Sequence, residues 1–153
     1  MELTNYRTLG RSGLAVSRLA LGKMTFGAGR WGADEGGSRA IFDVYIETSG
    51  NFIDTADVYS GGESEAMIGR SCARAAVPTG MVIATKPGFA RGEGNPLAGG
   101  NSARNIRGGL EGSLRRLGSG HIDMYWTHVW DRTTPAEEVL RALTDAVRRG
   151  DIL

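Results

Sequence analysis

In 153 residues, 18 Lys and Arg stand against 17 Asp and Glu, for a formal charge of +1, and 41% of residues are hydrophobic. A balance this even gives no electrostatic footprint for nucleic acid or an anionic membrane, and a single cysteine, Cys72, makes no intramolecular disulfide. The N-terminal MELTNYRTLG lacks an apolar h-region, and no apolar run approaches the roughly 18 residues that cross a bilayer, so the expectation is a cytoplasmic globular protein.

Short apolar runs alternate with amphipathic stretches, the pattern of β/α units around a mainly parallel sheet. Residues 6–9 and 14–17 flank Gly10-Arg11-Ser12-Gly13 and predict a small β-hairpin. A first core strand is expected at 18–21, stopping at Gly22, followed by a Gly- and aromatic-rich loop to Gly37. Ile41, Val44, Tyr45 and Thr48 recur at helical spacing and predict a helix over 38–48, with Gly50 as its C-cap. A second strand at 51–55, a glycine-bearing loop and a helix over 63–76, closed by Val77-Pro78, come next. The third strand covers 81–86, bounded by Gly80 and Pro87-Gly88. After a loop to Gly100, Ile106, Leu110, Leu114 and Leu117 mark a third helix, with its N-cap at Asn101 or Ser102 and its stop at Gly118. Residues 121–127 supply a fourth strand. Thr134-Pro135-Ala136-Glu137 predicts an N-cap, a Pro at the first helical position and a capping box for a fourth helix. Its buried stripe is expected to be Val139, Leu140, Leu143 and Val147, with Gly150 past the end. Asp151-Ile152-Leu153 begins a fifth strand.

Two architectures fit this order. A flavodoxin-like doubly wound sheet needs roughly this length, whereas an eight-stranded β/α barrel runs to about 250 residues. The first expects a phosphate-gripping glycine turn after its first strand, and Gly22-Lys23-Met24-Thr25-Phe26-Gly27 holds no G-x-G-x-x-G. Polar residues at the strand ends point to the second. Asp54 lies near the end of the second strand, Lys86 ends the third, His128 follows the fourth, and Tyr59 lies five residues beyond Asp54. In a barrel, the C-terminal ends of all strands open onto the face that holds the active site. Singly, each has a structural explanation in solvation, packing or turn capping. Together they make chemical sense. A phenol is a poor proton donor at neutral pH, and a nearby ammonium stabilises the phenolate left behind. A carboxylate fixes that ammonium, and an imidazole orients a carbonyl oxygen. A donor Tyr beside a polarised carbonyl is what carbonyl reduction requires.

The whole chain resembles the aldo-keto reductase superfamily. The resemblance is carried by Arg7-Thr8-Leu9-Gly10-Arg11-Ser12-Gly13-Leu14, Leu21-Gly22 with Met24-Thr25-Phe26-Gly27, NFIDTADVY (51–59), Ser64-Glu65 with Gly69, Ala84-Thr85-Lys86, and LRRLG (114–118) followed by Ile122-Asp123-Met124-Tyr125 and His128. It implies a parallel (β/α)8 TIM barrel, of which residues 1–153 supply about the first half: an N-terminal hairpin over 6–17 that caps the barrel bottom, four β/α units and the start of a fifth strand. It also implies NADPH-dependent reduction of an aldehyde or ketone, with Asp54, Tyr59, Lys86 and His128 as the catalytic tetrad and Tyr59 as general acid. Gly22, Lys23, Met24 and Asp54 match cofactor-contacting positions. The family's remaining cofactor contacts come from later strands and find no counterpart here.

Two residues depart from the family pattern. Lys23 stands where a small polar residue is usual, so a bulky cation is expected beside the nicotinamide ribose, and Pro87 removes a backbone donor after the tetrad lysine. Trp31, Trp126 and Trp130 are candidates for an apolar substrate pocket. His121 is expected on the surface at the far end, Cys72 as a small buried residue, and Arg115-Arg116 and Arg148-Arg149 as solvated helix faces or helix C-terminal charges. No metal site is expected from two histidines and one cysteine. The alternative to a truncated enzyme is a non-catalytic half-barrel acting as an assembly or binding module, expected to form a homodimer through its strand edges and exposed apolar positions.

Overall fold

In the computed structural model, which describes residues 3–29, 32–76, 80–90 and 94–153, the chain opens on an antiparallel pair, β1 (Arg7–Thr8) and β2 (Ala15–Val16). The turn closes through Leu9 N–H on the Leu14 carbonyl at 2.8 Å, with Gly10 at φ 61°. This hairpin is shorter than expected but in the expected place. Asn51 holds it to the sheet: its Oδ1 accepts from Ser17 N–H at 2.7 Å and its Nδ2 donates to the Ala15 carbonyl at 2.9 Å.

Four parallel strands follow in the order β3 (Leu21–Gly22), β4 (Phe52–Asp54), β5 (Val82–Thr85) and β6 (Met124–Tyr125). Gly22 therefore belongs to the first of them rather than ending it. Register brings Gly22, Asp54 and Ala84 abreast, and Thr85 opposite Tyr125. Ile152 makes a parallel bridge to Ile122, so the expected fifth strand is a single bridge.

Helix α1 (Glu35–Glu47) begins three residues before the expected start, because Asp34 caps it by accepting from Gly37 N–H at 2.7 Å. Its buried residues are Ser38, Phe42 and Tyr45, whereas Ile41 and Val44 are exposed. The apolar stripe is rotated from the one the spacing suggested. The cap is Thr48, not Gly50. Gly50 serves packing instead, since a Cβ there would stand 2.3 Å from the Tyr45 ring. Helix α2 (Glu63–Ala75) ends on Ala76, and the expected Val77-Pro78 stop lies outside the described residues. Helix α3 (Ala103–Leu117) starts and stops where expected: Ser102 accepts from Asn105 N–H, and Gly118 has φ 64°. Gly69 lets α2 and α3 close together, because a Cβ there would lie 2.6 Å from the Arg116 carbonyl oxygen.

Helix α4 (Ala136–Arg149) differs most from expectation. Pro135 holds the N-cap position and no capping box forms. Thr134 turns to Asp131, donating its N–H at 2.6 Å and its hydroxyl at 2.9 Å, so it is not available to the helix. The predicted stripe is only half covered: Leu143 packs against the core and Val139 is half-buried, whereas Leu140 and Val147 are exposed and Ala146 is the one fully buried residue of α4. The end is as expected, with Gly150 at φ 76°. Between sheet and helices lies one core that includes Phe42, Ile53, Ile68, Ile83, Leu110 and Ile122, each worth about 1.5–3 kcal/mol when fully buried. Among the described residues no helix is long and apolar enough to cross a membrane.

Candidate active site

Strand alternation decides which side chains meet. On β4 and β5, Ile53, Thr55, Ile83 and Thr85 face the helices, which leaves Phe52, Asp54 and Lys86 on the other side of the sheet. With Asp54 abreast of Ala84, Lys86 lies just beyond it on the neighbouring strand. Its Nζ donates to Asp54 Oδ2 at 2.8 Å and to the Thr55 carbonyl at 2.6 Å.

Tyr59 enters from the turn after β4. A short 3₁₀ turn (Tyr59–Gly62) leads straight into α2, and Ser60, Gly61 and Gly62 all take positive φ. Ser60 is a non-glycine residue in the left-handed region, and its hydroxyl anchors the turn on the Phe26 carbonyl at 2.8 Å. The tight bend brings the Tyr59 ring centroid to 5.3 Å from Lys86 Nζ.

His128 completes the group. Beyond β6 the ladder continues, with Trp126 N–H on the Thr85 carbonyl at 3.0 Å and His128 N–H on the Pro87 carbonyl at 3.1 Å. Pro87 lacks a donor, but its carbonyl registers His128 one residue past Lys86. The imidazole meets Tyr59 edge to face at 5.7 Å and Phe89 at 4.6 Å. Burial, and after it the charge of Lys86, hold the His128 imidazole below its ordinary 6.5, against the opposing pull of Asp54. It is therefore neutral at pH 7, and one ring nitrogen can donate to a carbonyl oxygen. Nδ1 is buried without a hydrogen-bond partner.

The loop behind His128 is pinned by Asp131. Asp131 accepts the backbone N–H groups of Asn101, Thr133 and Thr134, and these bonds hold its carboxyl down to about 2. Asn101 returns the connection by donating its amide to the Val129 carbonyl at 2.7 Å.

An open concavity of about 420 Å³ is lined by Asp54, Lys86 and His128 together with Ala20, Phe52, Trp126 and Thr127, and Tyr59 adjoins it through its edge contact with His128 rather than lining it. Of the three tryptophans named from sequence, Trp126 lines it, Trp130 is 82% exposed, and Trp31 lies outside the described residues. Gly22 sits beside Asp54 at the end of β3, and Met24 is exposed just past it. The Lys23 side chain goes elsewhere. It is 1% exposed and points among the helices, with its ammonium 3.6 Å from the Phe26 ring centroid and 4.9 Å from that of Phe42. Phe52 and Phe89 were not singled out from the sequence, because aromatic residues beside strand ends are usually packing. His121 is exposed, 3.6 Å from Asp123, and Cys72 is buried. Among the described residues no three His, Cys, Asp or Glu side chains gather where they could hold a metal ion.

The family model described as the aldo/keto reductase family matches residues 18–153. The chain belongs to that family. Relatives of this aldo/keto reductase chain include aldo-keto reductase ausK of Aspergillus calidoustus, 39% identical over 99% of this chain and 41% of the relative. Norsolorinic acid reductase A of Aspergillus parasiticus is 35% identical over 93% of this chain and 39% of its own length. Among solved structures, aldo-keto reductase AKR11C1 from Bacillus halodurans in its holo form superposes with a TM-score of 0.83 at 32% identity, covering 96% of this chain and 47% of the other. The fold is thus that of part of a TIM barrel, and the chain spans less than half the length of these relatives.

Proposed function

We propose that this site reduces an aldehyde or ketone to an alcohol with a nicotinamide cofactor, NADPH by family resemblance. One observation carries the reading: Lys86 is fixed by Asp54 and the Thr55 carbonyl beneath the Tyr59 ring, with His128 at its edge. The concavity fits a flat, largely apolar ring, since Ala20, Phe52 and Trp126 give it apolar walls beside the polar Asp54, Lys86 and His128. Gly22, Met24 and Asp54 would flank the nicotinamide end, while the Lys23 side chain is enclosed between Phe26 and Phe42.

When bound, the cofactor supplies a hydride. The protein's own part is the proton and the polarisation. Neutral His128 donates a ring N–H to the carbonyl oxygen and orients it. Tyr59 Oη holds the proton that the oxygen takes up as the alcohol forms, and the ammonium of Lys86 stabilises the phenolate left behind. Asp54 holds Lys86 in place. Trp126 is the proposed apolar wall for the substrate. Fluorescence titration of the 153-residue chain with NADPH and NADH, followed by addition of an aromatic aldehyde, is expected to show saturable quenching and then aldehyde-dependent loss of nicotinamide absorbance. Neither signal at any concentration would overturn the proposal.

Two exposed apolar residues of α4 favour a second reading, an assembly module. Leu140 and Val147 are 63% and 51% exposed on a helix with one fully buried residue. Sedimentation velocity expects a dimer if those residues and the strand edges close on a second copy. A sharp monomer at all concentrations would contradict it.

A further inference from the structure

Two polar side chains at the start of α2 do something the reaction scheme does not use. Ser64 and Glu65 are both fully buried. Each reaches the threonine that adjoins a site residue: Ser64 meets Thr55, next to Asp54, and Glu65 meets Thr85, next to Lys86. Thr85 Oγ1 donates to Glu65 Oε1 at 2.6 Å, and Thr55 Oγ1 lies 2.9 Å from Ser64 Oγ. The one proton of the Ser64 hydroxyl goes to the Lys23 carbonyl at 2.8 Å, so Thr55 is the donor to Ser64. One helical turn therefore holds the ends of β3, β4 and β5. Tyr59 lies in the 3₁₀ turn that runs directly into the same helix.

Glu65 is paired as well as bonded. Arg116 Nε donates to its Oε2 at 2.8 Å, and Nη2 lies 2.7 Å from the same oxygen. A carboxylate with no exposure is an expensive way to fill a core position. Burying a charge costs several kcal/mol, and a packed apolar side chain of similar volume often serves stability as well or better. What the ionised pair gives that Met or Leu could not is an oxygen fixed opposite Thr85.

We propose that Ser64 and Glu65 form a clamp that sets the spacing of Asp54 and Lys86 by gripping Thr55 and Thr85 from the helix side of the sheet. They are positioning residues: neither is at the concavity. Lys86 must span from β5 to two acceptors at the end of β4, and a shift of one strand end by about 1 Å would break one of those bonds. The inference takes the role of Lys86 from the proposed reduction, but its geometry is independent of turnover.

The test reads His128 by NMR, since its titration feels Lys86 directly, with Asp54 and Tyr59 as its other polar neighbours. Lys86→Met is expected to raise the His128 midpoint by about half a pH unit, because a nearby cation is lost. Thr85→Val, which keeps shape but removes the donor to Glu65, should raise it partway. Thr85→Ser should restore the wild-type midpoint, and Ser64→Ala should behave like Thr85→Val. In the Lys86→Met background, Thr85→Val should add nothing. Wild-type midpoints in cooperatively folded Thr85→Val and Ser64→Ala proteins would overturn the clamp, as would an additive shift in the double variant. Failure of the reductase reading would show separately, as absent turnover in the wild-type chain with these shifts intact.

Discussion

If the site carries out the proposed reduction, Tyr59→Phe should lower it by a factor of about 100 to 10,000, the range for removing a positioned proton donor. The substitution deletes one oxygen and keeps the ring, so the edge-to-face contact with His128 and the approach of Lys86 to the ring face persist. The fall should therefore appear in kcat, with cofactor affinity changed little. Transient loss of nicotinamide absorbance, measured beside fluorescence titrations on the same preparations, separates the two. Lys86→Met should fall comparably for a different reason, since Asp54 then faces the cleft without its counter-ion. A Tyr59→Phe protein that keeps more than a tenth of wild-type kcat would remove Tyr59 from the role of proton donor.

Lys23→Met stabilises the protein, and the gain depends on pH. Burial pulls the Lys23 ammonium from its ordinary 10.5 down to about 7, against a smaller upward pull from Cys72. In the window between about 7 and 10.5, the unfolded chain holds a proton at Lys23 that the folded chain has released. Unfolded protein binds more protons there, so stability climbs with pH across that window. Below pH 7 both states are charged and the full penalty applies, on the order of 4 kcal/mol; above 10.5 it vanishes. The rings of Phe26 and Phe42 offset part of this for the charged form, by about 2 kcal/mol for a desolvated cation–π contact. Methionine fills similar space without the charge. At pH 7 the variant should melt about 5 °C higher. Thermal melts from pH 7 to 10 should show wild-type stability gaining on the variant's as pH rises. Parallel curves, or a lower melting temperature for Lys23→Met, would contradict this account.

Local signals were legible and long-range ones were not. Ser102 and Gly118 announce the ends of α3 because caps depend on neighbours within four residues. That Asp54, Lys86 and His128 lie together was legible because strand ends of parallel β/α units share one face. At Thr134 the local signal misled: Asp131 outcompetes the helix for that side chain. The phase of α1 was misread because two apolar runs overlap, and only the sheet decides that Phe42 rather than Ile41 is buried. Lys23 and Arg116 show the same limit for charge. Lys23, expected beside the nicotinamide ribose, is enclosed by aromatic rings, and Arg116, expected as a solvated or helix-terminal charge, is bound to a glutamate 51 residues away.

The central claim is that Tyr59, Lys86, Asp54 and His128 reduce a carbonyl in this cleft. A single turnover with a nicotinamide cofactor deuterated at both C4 positions addresses it directly, with the product read by mass spectrometry. The account predicts an alcohol carrying one deuterium on the former carbonyl carbon, and almost none from the Tyr59→Phe protein. An unlabelled alcohol, or no alcohol from a chain that binds the cofactor, would contradict it.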